Sequence, residues 1–369
     1  MYAWVPNWGL SVLLLNGEGK TMNNSITKHI NILGGGISGL SAAIALSKHQ
    51  STKIKVYEKS LHTGGRFKRD FQCLRNFGSV SVDPLDEFRN FGIRIRPYRE
   101  IKRIIRYSKS HHFEVVSKKK PIYYAVLRGK EKMSIDNQLE QTAISRGVQI
   151  YYDTAIDVEN ATIIATGPTQ IDSVAYGEIY EDTNIDDAGM VFLNTDHSPN
   201  GYLYVLPGGK KGEAEIINME MGPTSSMKKT KILYQQALEK NTILSDLIDG
   251  ATKKSTQGGI GSSHLLDKPF ENGKYYVGEA AGLQDIGAGF GIRYAIISGY
   301  LAADSLLTGK DYNKQFFKTF THQLAFERKR SINVRKLTNR KIDRIFANII
   351  KKFGHELSIE EYESLRGEI

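Results

Sequence analysis

The chain has 369 residues and a single cysteine, Cys73, so no internal disulfide can form and a reducing, cytoplasmic setting is expected. It also lacks any run of ~18 consecutive apolar residues, which excludes a membrane-spanning helix. His62, His111, His112 and His264 show none of the spacings of a metal site, and no metal is expected. Internal repeats, low-complexity linkers and RNA-binding motifs are missing as well, so nucleic acid is not an expected partner. Negative charge is in short supply: 50 Lys and Arg stand against 40 Asp and Glu, for a net charge of +10. Such a surplus points to an anionic partner, whether a nucleotide, a phospholipid headgroup, an acidic substrate or RNA.

The opening "MYAWVPNWGLSVLLLNGEGKTMNNS" carries a short apolar run without a basic segment before it, unlike a signal sequence and too short to span a bilayer. Residues 1–27 are expected to be a mobile extension, with Met22 the natural beginning. The segment beyond it is richer in pattern. "NILGGGISGLSAAIALSKHQSTKIKVYEKS", from Asn31 to Ser60, places an apolar strand, a glycine turn, an Ala/Leu-rich helix and a second strand in order, and closes on Glu58. A lone GxGxxG is weak evidence, but this context is that of a dinucleotide site. Gly34 permits the sharp turn, Gly36 removes a side chain that would block a pyrophosphate, and Gly39 lets helix and strand pack closely. The helix start at Ile37 and Ser38 offers unpaired N–H groups to the phosphates. Glu58 lies 58 − 39 = 19 residues past the last glycine, where an acid accepts hydrogen bonds from ribose hydroxyls and repels a 2′-phosphate. The ligand expected is therefore NAD or FAD rather than NADP.

Directly after Glu58 and Lys59, the loop "LHTGGRFKRDFQCLRNF" should fold back over the nucleotide through Gly65. There Arg66 either forks onto the pyrophosphate or is a solvated surface arginine. Residues 100–127 alternate apolar and polar and read as strands of a second sheet; Arg128 to Arg146 reads as helix. Short strands and turns dominate from Asp172 to His264, with one helix near Lys228 to Glu239. The chain then returns through an apolar strand, Tyr275 to Val277, into a glycine-rich turn and a long apolar helix. The expected division is a nucleotide domain of residues 28–99, 128–171 and 269–308, an inserted substrate domain of residues 100–127 and 172–268, and a basic helical region of residues 309–369.

Four segments carry a resemblance to the FAD-dependent geranylgeranyl reductase family, within the larger group of hydroxylase-like flavoproteins. They are the glycine turn with Glu58, the stretch from Arg128 through Asp136 to Gly147, "PNGYLYVLP" and "VGEAAGLQDIGAGFGI". The third is similar to the family's PxxYxWxFP cavity motif, with Tyr204 in place of tryptophan and Leu206 in place of phenylalanine. In the last, Glu279 stands for the usual aspartate and Ile286 for the usual proline. The resemblance implies non-covalent FAD, with Arg128 as a landmark beside the cofactor, Thr166 and Gly167 on the adenine side, and Glu279 on a ribityl hydroxyl. Gly289 and Gly291 would bring a helix terminus to the pyrimidine edge.

It implies hydride transfer to carbon–carbon double bonds of an apolar prenyl lipid, with NAD(P)H or ferredoxin as a transient electron donor. Tyr202 and Tyr204 are candidates to line the cavity or donate a proton, or are sheet packing. Cys73 lies near a cavity cysteine of some family members, or is a small buried hydrophobe. An aromatic hydroxylase, a lycopene-cyclase-like enzyme and, more remotely, an RNA-binding flavoprotein are the alternatives. Gly282 and Thr166, where hydroxylases carry histidine and an acid, favour the reductase. The basic tail, with Phe, Leu and Ile among Lys and Arg at helical spacing, is expected either to touch an anionic membrane or to cover a core. The fold class expected is α/β: a Rossmann-type FAD-binding domain, an inserted mostly antiparallel sheet and a C-terminal helical tail.

Overall fold

The computed structural model describes residues 28–49, 52–78, 82–222, 225–285 and 287–365. The expectations for residues 1–27 and for Ile286 lie outside the described residues.

A parallel sheet organises the half of the molecule that contains the glycine turn. Its core strands are β1 (Lys28–Leu33), β2 (Thr52–Tyr57), β8 (Gln149–Tyr151), β9 (Ile163–Ile164) and β16 (Lys274–Tyr276), with β15 (Phe270–Glu271) antiparallel at the edge. The order is β15-β16-β9-β1-β2-β8, so β1 lies in the interior with β2 and β9 on either side. Alternation in "KHINIL" turns Ile30 and Ile32 into the core, at 2% and 0% exposed. Helix α1 (Ile37–Leu46) is buried along its whole length. Leu40 and Ile44 on it are completely buried, each contributing about 1.5–3 kcal/mol by removal from water. Its small residues let α6 (Ile292–Thr308) press against it: a Cβ on Gly299 would lie 2.4 Å from the Ser38 carbonyl oxygen.

The second half is an eight-stranded sheet. It contains β5 (Arg103–Tyr107), β6 (His112–Val116), β10 (Ser173–Glu181), β11 (Gly189–Phe192), β12 (Gly201–Pro207), β13 (Ala214–Met221), β14 (Thr252–Gly261) and β17 (Glu356–Ser358). Pairings are antiparallel except β11 with β5 and β6 with β17. Helices α4 (Met227–Lys240) and α5 (Thr242–Leu247) cover one face, where Tyr234, Ala237 and Leu244 meet Leu203, Val205 and Ile216.

The opposite face packs against a three-stranded sheet of β3 (Asp70–Arg75), β7 (Tyr123–Arg128) and β4 (Arg99–Ile101), and against the C-terminal region. The alternating stretch at residues 100–127 is thus shared between two sheets, because alternation marks a strand without naming its partner.

Two short helices, α2 (Pro84–Asn90) and α3 (Ile135–Ser145), flank the half that contains the glycine turn. The helix expected from Arg128 begins only at Ile135, because Arg128 ends strand β7 and Ser134 caps α3 by accepting the Asn137 N–H. The basic tail comprises α7 (Tyr312–Arg335), α8 (Asn339–Phe353), strand β17 and α9 (Ile359–Ser364). It is therefore not helical throughout. On α8, Ile342, Phe346 and Ile349 are buried in the same core as Phe113 and Val115, while Arg340, Lys341, Arg344, Lys351 and Lys352 are exposed.

Candidate functional site

Gly34, Ala165 and Gly278 follow the carboxyl ends of β1, β9 and β16, where ligands bind in open α/β sheets. A cavity of ≈ 380 Å³ starts there and continues between the two halves of the molecule. Gly36, Ile37, Ser38, Arg66, Gly167 and Glu279 line the nucleotide end. Cys73, Tyr202, Tyr204 and the Gly287–Gly291 loop line the part beside the eight-stranded sheet, and Ile104, Arg106, Leu337, Ile342 and Phe346 the part beneath the C-terminal region.

The three motif glycines have different surroundings. Gly34 has φ +108°, and a Cβ there would meet the Ala165 carbonyl oxygen at 2.3 Å; a Cβ on Gly39 would meet the Gly34 carbonyl oxygen at 2.1 Å. Those two serve the packing of the turn. Gly36 is unlike them: an added Cβ finds nothing within 4 Å, and the residue borders the cavity. Gly36 also caps α1 with no side-chain hydrogen bond, so the first N–H groups of that helix remain open to an anion.

Glu58 stands behind this turn rather than on the cavity wall. Its Oε2 accepts the Gly35 N–H and its Oε1 the Ser60 N–H, both at 2.8 Å. A carboxylate has about four lone-pair sites, so both oxygens keep one for ribose hydroxyls. Lys59 and Thr166 are exposed and, like Gly65, do not border the cavity; a Cβ on Gly65 would meet Ser60 at 2.5 Å.

Arg66 and Glu279, far apart in sequence, form an ion pair at 3.0 Å on the cavity wall, and Arg66 also donates to the Ile260 carbonyl. Burial raises the Glu279 carboxyl above its ordinary value while Arg66 opposes the shift. Arg128 grips Asp136 with two hydrogen bonds of 2.9 and 3.0 Å, donates to Gln72 at 3.0 Å, and lies over the Phe67 ring. It is held rigidly at the cavity edge.

The glycine-rich loop before α6 is fixed from three sides. Asp285 accepts the Gly287 N–H at 2.7 Å, Tyr202 donates its hydroxyl to the Ala288 carbonyl at 2.6 Å, and Arg75 lies over the Phe290 ring. Arg75 in turn sits 3.0 Å from Glu327 and 3.5 Å from Asp285, all three buried. Gly289 has φ +71°, and a Cβ there would strike Met219 at 2.8 Å. Gly291 caps α6 without a side-chain hydrogen bond, leaving a second uncapped helix start on the same cavity.

Both candidate tyrosines border the cavity, but their hydroxyls differ. Tyr202 spends its proton on the Ala288 carbonyl, whereas Tyr204 makes no hydrogen bond among the described residues. Burial raises both above the ordinary tyrosine value, so both stay protonated. Burial likewise pushes the Cys73 thiol up, away from the reactive thiolate.

A carboxyl pair beside them escaped the sequence reading. Asp70, on the cavity wall, and Glu215, fully buried behind it, are close enough to act on each other electrostatically. Gln72 donates to Asp70 at 2.6 Å and the Phe71 N–H to Glu215 at 2.8 Å. Burial raises both carboxyls, Glu215 well above its usual range with help from neighbouring Asp70. Burial thus favours the protonated form of each. The signal of the pair was hidden because Glu215 alternates with apolar residues in "EAEIINMEMG" and reads as a solvent-facing acid.

The glycine cradle open at Gly36, the two uncapped helix starts and the acid at the end of β2 fit a dinucleotide lying extended along the cavity, as FAD would.

Residues 32–106 match the family described as NAD(P)-binding Rossmann-like domain. Over 149 residues the chain is 28% identical to the digeranylgeranylglycerophospholipid reductase of Methanocaldococcus jannaschii. That stretch is 38% of this chain and 37% of that protein, so little more than a third of the curated relative is spanned. Among solved structures, a geranylgeranyl bacteriochlorophyll reductase-like protein from Thermoplasma acidophilum superposes with a TM-score of 0.74 at 18% identity, over 92% of this chain and 96% of that one. A flavin-dependent brominase gives a TM-score of 0.56 at 15% identity, over 79% of this chain and 82% of that one. The chain has the α/β fold that these proteins share.

Proposed function

We propose that the protein is an FAD-dependent oxidoreductase that reduces carbon–carbon double bonds of a prenyl-type lipid or a similarly apolar substrate. The observation that carries this reading is the continuity of one cavity, from the glycine turn at Gly36 to the apolar wall of Ile104, Leu337, Ile342 and Phe346. Such a wall suits a long alkyl chain better than a small polar ring. When bound, FAD supplies the hydride and carries the redox chemistry. The chain's own residues hold it and manage the proton. The uncapped start of α1 would hold the pyrophosphate and Glu58 the ribose. Tyr202 fixes the loop that presents the start of α6. Tyr204, whose hydroxyl makes no hydrogen bond among the described residues, offers a proton, and the Asp70 and Glu215 carboxyls beside it, both raised by burial, would replace that proton.

NAD(P)H or ferredoxin would visit as electron donor. Contact with an anionic membrane would be electrostatic, through the exposed Lys and Arg of α8, because its apolar face is already buried.

The test is anaerobic. Chemically reduced enzyme should be reoxidised by geranylgeranyl-type lipids to give saturated products. Oxygen consumption with aromatic acids, yielding hydroxylated products and no lipid reduction, would assign the protein to the hydroxylases instead. The cofactor is tested by Gly36→Val. A Cβ at this position meets nothing within 4 Å among the described residues, so the variant should fold as the wild type does and yet bind no flavin. Stoichiometric yellow flavin in that variant would refute the placement.

A further inference from the structure

Four arginines border the cavity, and three have a carboxylate: Arg66 has Glu279, Arg75 has Glu327 and Asp285, and Arg128 has Asp136. Arg106 has none among the described residues. Its Nε is buried with no acceptor, its terminal nitrogens make no hydrogen bond among the described residues, and its neighbours include the Tyr362 ring, 5.3 Å from the guanidinium carbon, and the Tyr123 phenol, close enough to feel its charge. Around it the cavity wall is Ile104, Val191, Leu337, Ile342 and Phe346. A cation in such surroundings is costly unless an anion joins it.

Strand register says where that anion would lie relative to the rest of the site. Tyr204 on β12 is opposite Val191 on β11, and Val191 is opposite Arg106 on β5. Arg106 is thus two strands from Tyr204 in one row of the sheet, ~10 Å at ordinary strand spacing. Tyr202, one step along β12 on the same face, holds the glycine-rich loop through Ala288.

We propose that Arg106 is an anion-binding subsite inside the cavity, so that the ligand is an acidic amphiphile. Its carboxylate or phosphate pairs with the Arg106 guanidinium, and its apolar chain crosses Val191 toward Tyr204 and the glycine-rich loop. The assignment rests on the reading of the cavity as an apolar-chain site and adds to it an orientation and a head group. Arg suits the role because its planar fork matches both oxyanions with paired hydrogen bonds.

The test is displacement of Nile red, a neutral apolar dye, from the purified full-length protein by dodecanoate, dodecyl phosphate and dodecanol. The three share a chain and differ in the head. For the wild type, at least one acid should displace the dye at about tenfold lower concentration than the alcohol, and whichever acid is tighter identifies the group. Arg106→Met should bring that acid to the level of the alcohol while the alcohol keeps its affinity. Arg106→Lys, which retains the charge, should keep part of the preference and decides the matter if the methionine variant does not fold. Equal displacement by all three ligands in the wild type, or an acid preference that survives Arg106→Met, would overturn the assignment. Displacement by none of the three would instead strike the apolar-chain reading beneath it.

Discussion

The two faces of the eight-stranded sheet are built from the same strands and treat polar groups in opposite ways. On the face beneath α4 and α5, Leu203 and Val205 are completely buried, and the Tyr180 and Tyr234 hydroxyls both find Glu178, at 2.5 and 3.4 Å. Lys253 completes the arrangement at 2.8 Å from the same carboxylate. On the face toward the cavity, one residue away along each strand, Arg106 has no carboxylate, Tyr204 no acceptor and Glu215 Oε1 no hydrogen-bond partner among the described residues. Alternation with period two lets one strand serve both purposes. Around Glu178 the polar groups are closed upon one another, while Glu220 on the same face has, among the described residues, only Lys229 at 3.6 Å; around Arg106 and Tyr204 they are open to the cavity.

Substitutions that separate the faces should separate stability from binding. Leu203→Ala, on the face beneath α4 and α5, should cost about 2–5 kcal/mol in chemical denaturation, while the folded fraction keeps its full complement of flavin. A loss of flavin affinity as large as the loss of stability would break the distinction.

Glu215→Gln tests the open face through pH. Burial raises the Glu215 carboxyl in the folded protein, whereas in the unfolded chain it ionises near its ordinary value of ~4.3. The native state then holds the extra proton, so its contribution to stability is present below that value and is lost as pH rises toward the raised folded value. The wild type should lose stability as pH rises above the ordinary glutamate value, and the glutamine variant should lose less, because it carries nothing to ionise at that position. Parallel denaturation midpoints for the two proteins above that value would mean that Glu215 is not held protonated.

The smallest effect is expected from Tyr202→Phe. It removes the hydrogen bond to Ala288 and nothing else of the packing, worth about 0.5–1.5 kcal/mol. That loss should weaken flavin binding in a fluorescence titration by up to about tenfold and move the melting temperature little. An unchanged affinity would show that the loop needs no such tether.

The nucleotide end could be read from the sequence because its chemistry is local. Gly34, Gly36, Gly39 and Glu58 lie in one strand-turn-helix-strand unit whose spacing is dictated by the ligand. Glu279, Gly289 and Gly291 are farther along the chain and were reached through resemblance to a family rather than through spacing. The open face of the sheet was not legible. Arg106 sits in "IKRIIRYSK", where alternation makes it look solvated; that inference fails because this sheet is covered on both faces. Arg75, Asp285 and Glu327 come from three separate parts of the chain, and only the folded arrangement brings them together.

Strand β17 has a bearing on how the molecule is assembled. Leu357 pairs with Val115, and α8 just before it supplies Ile342 and Phe346 to the cavity wall, so this wall draws on chain made long after the rest of the sheet. Contacts between such distant segments form late, because loop closure must be met before they give anything back. Synthesis proceeds at about 5–20 residues per second, which leaves an interval of seconds in which the glycine turn and β1, β2 and α1 already exist while the wall over the sheet does not. The part of the cavity wall that α8 forms is therefore among the last parts of the site to be put in place.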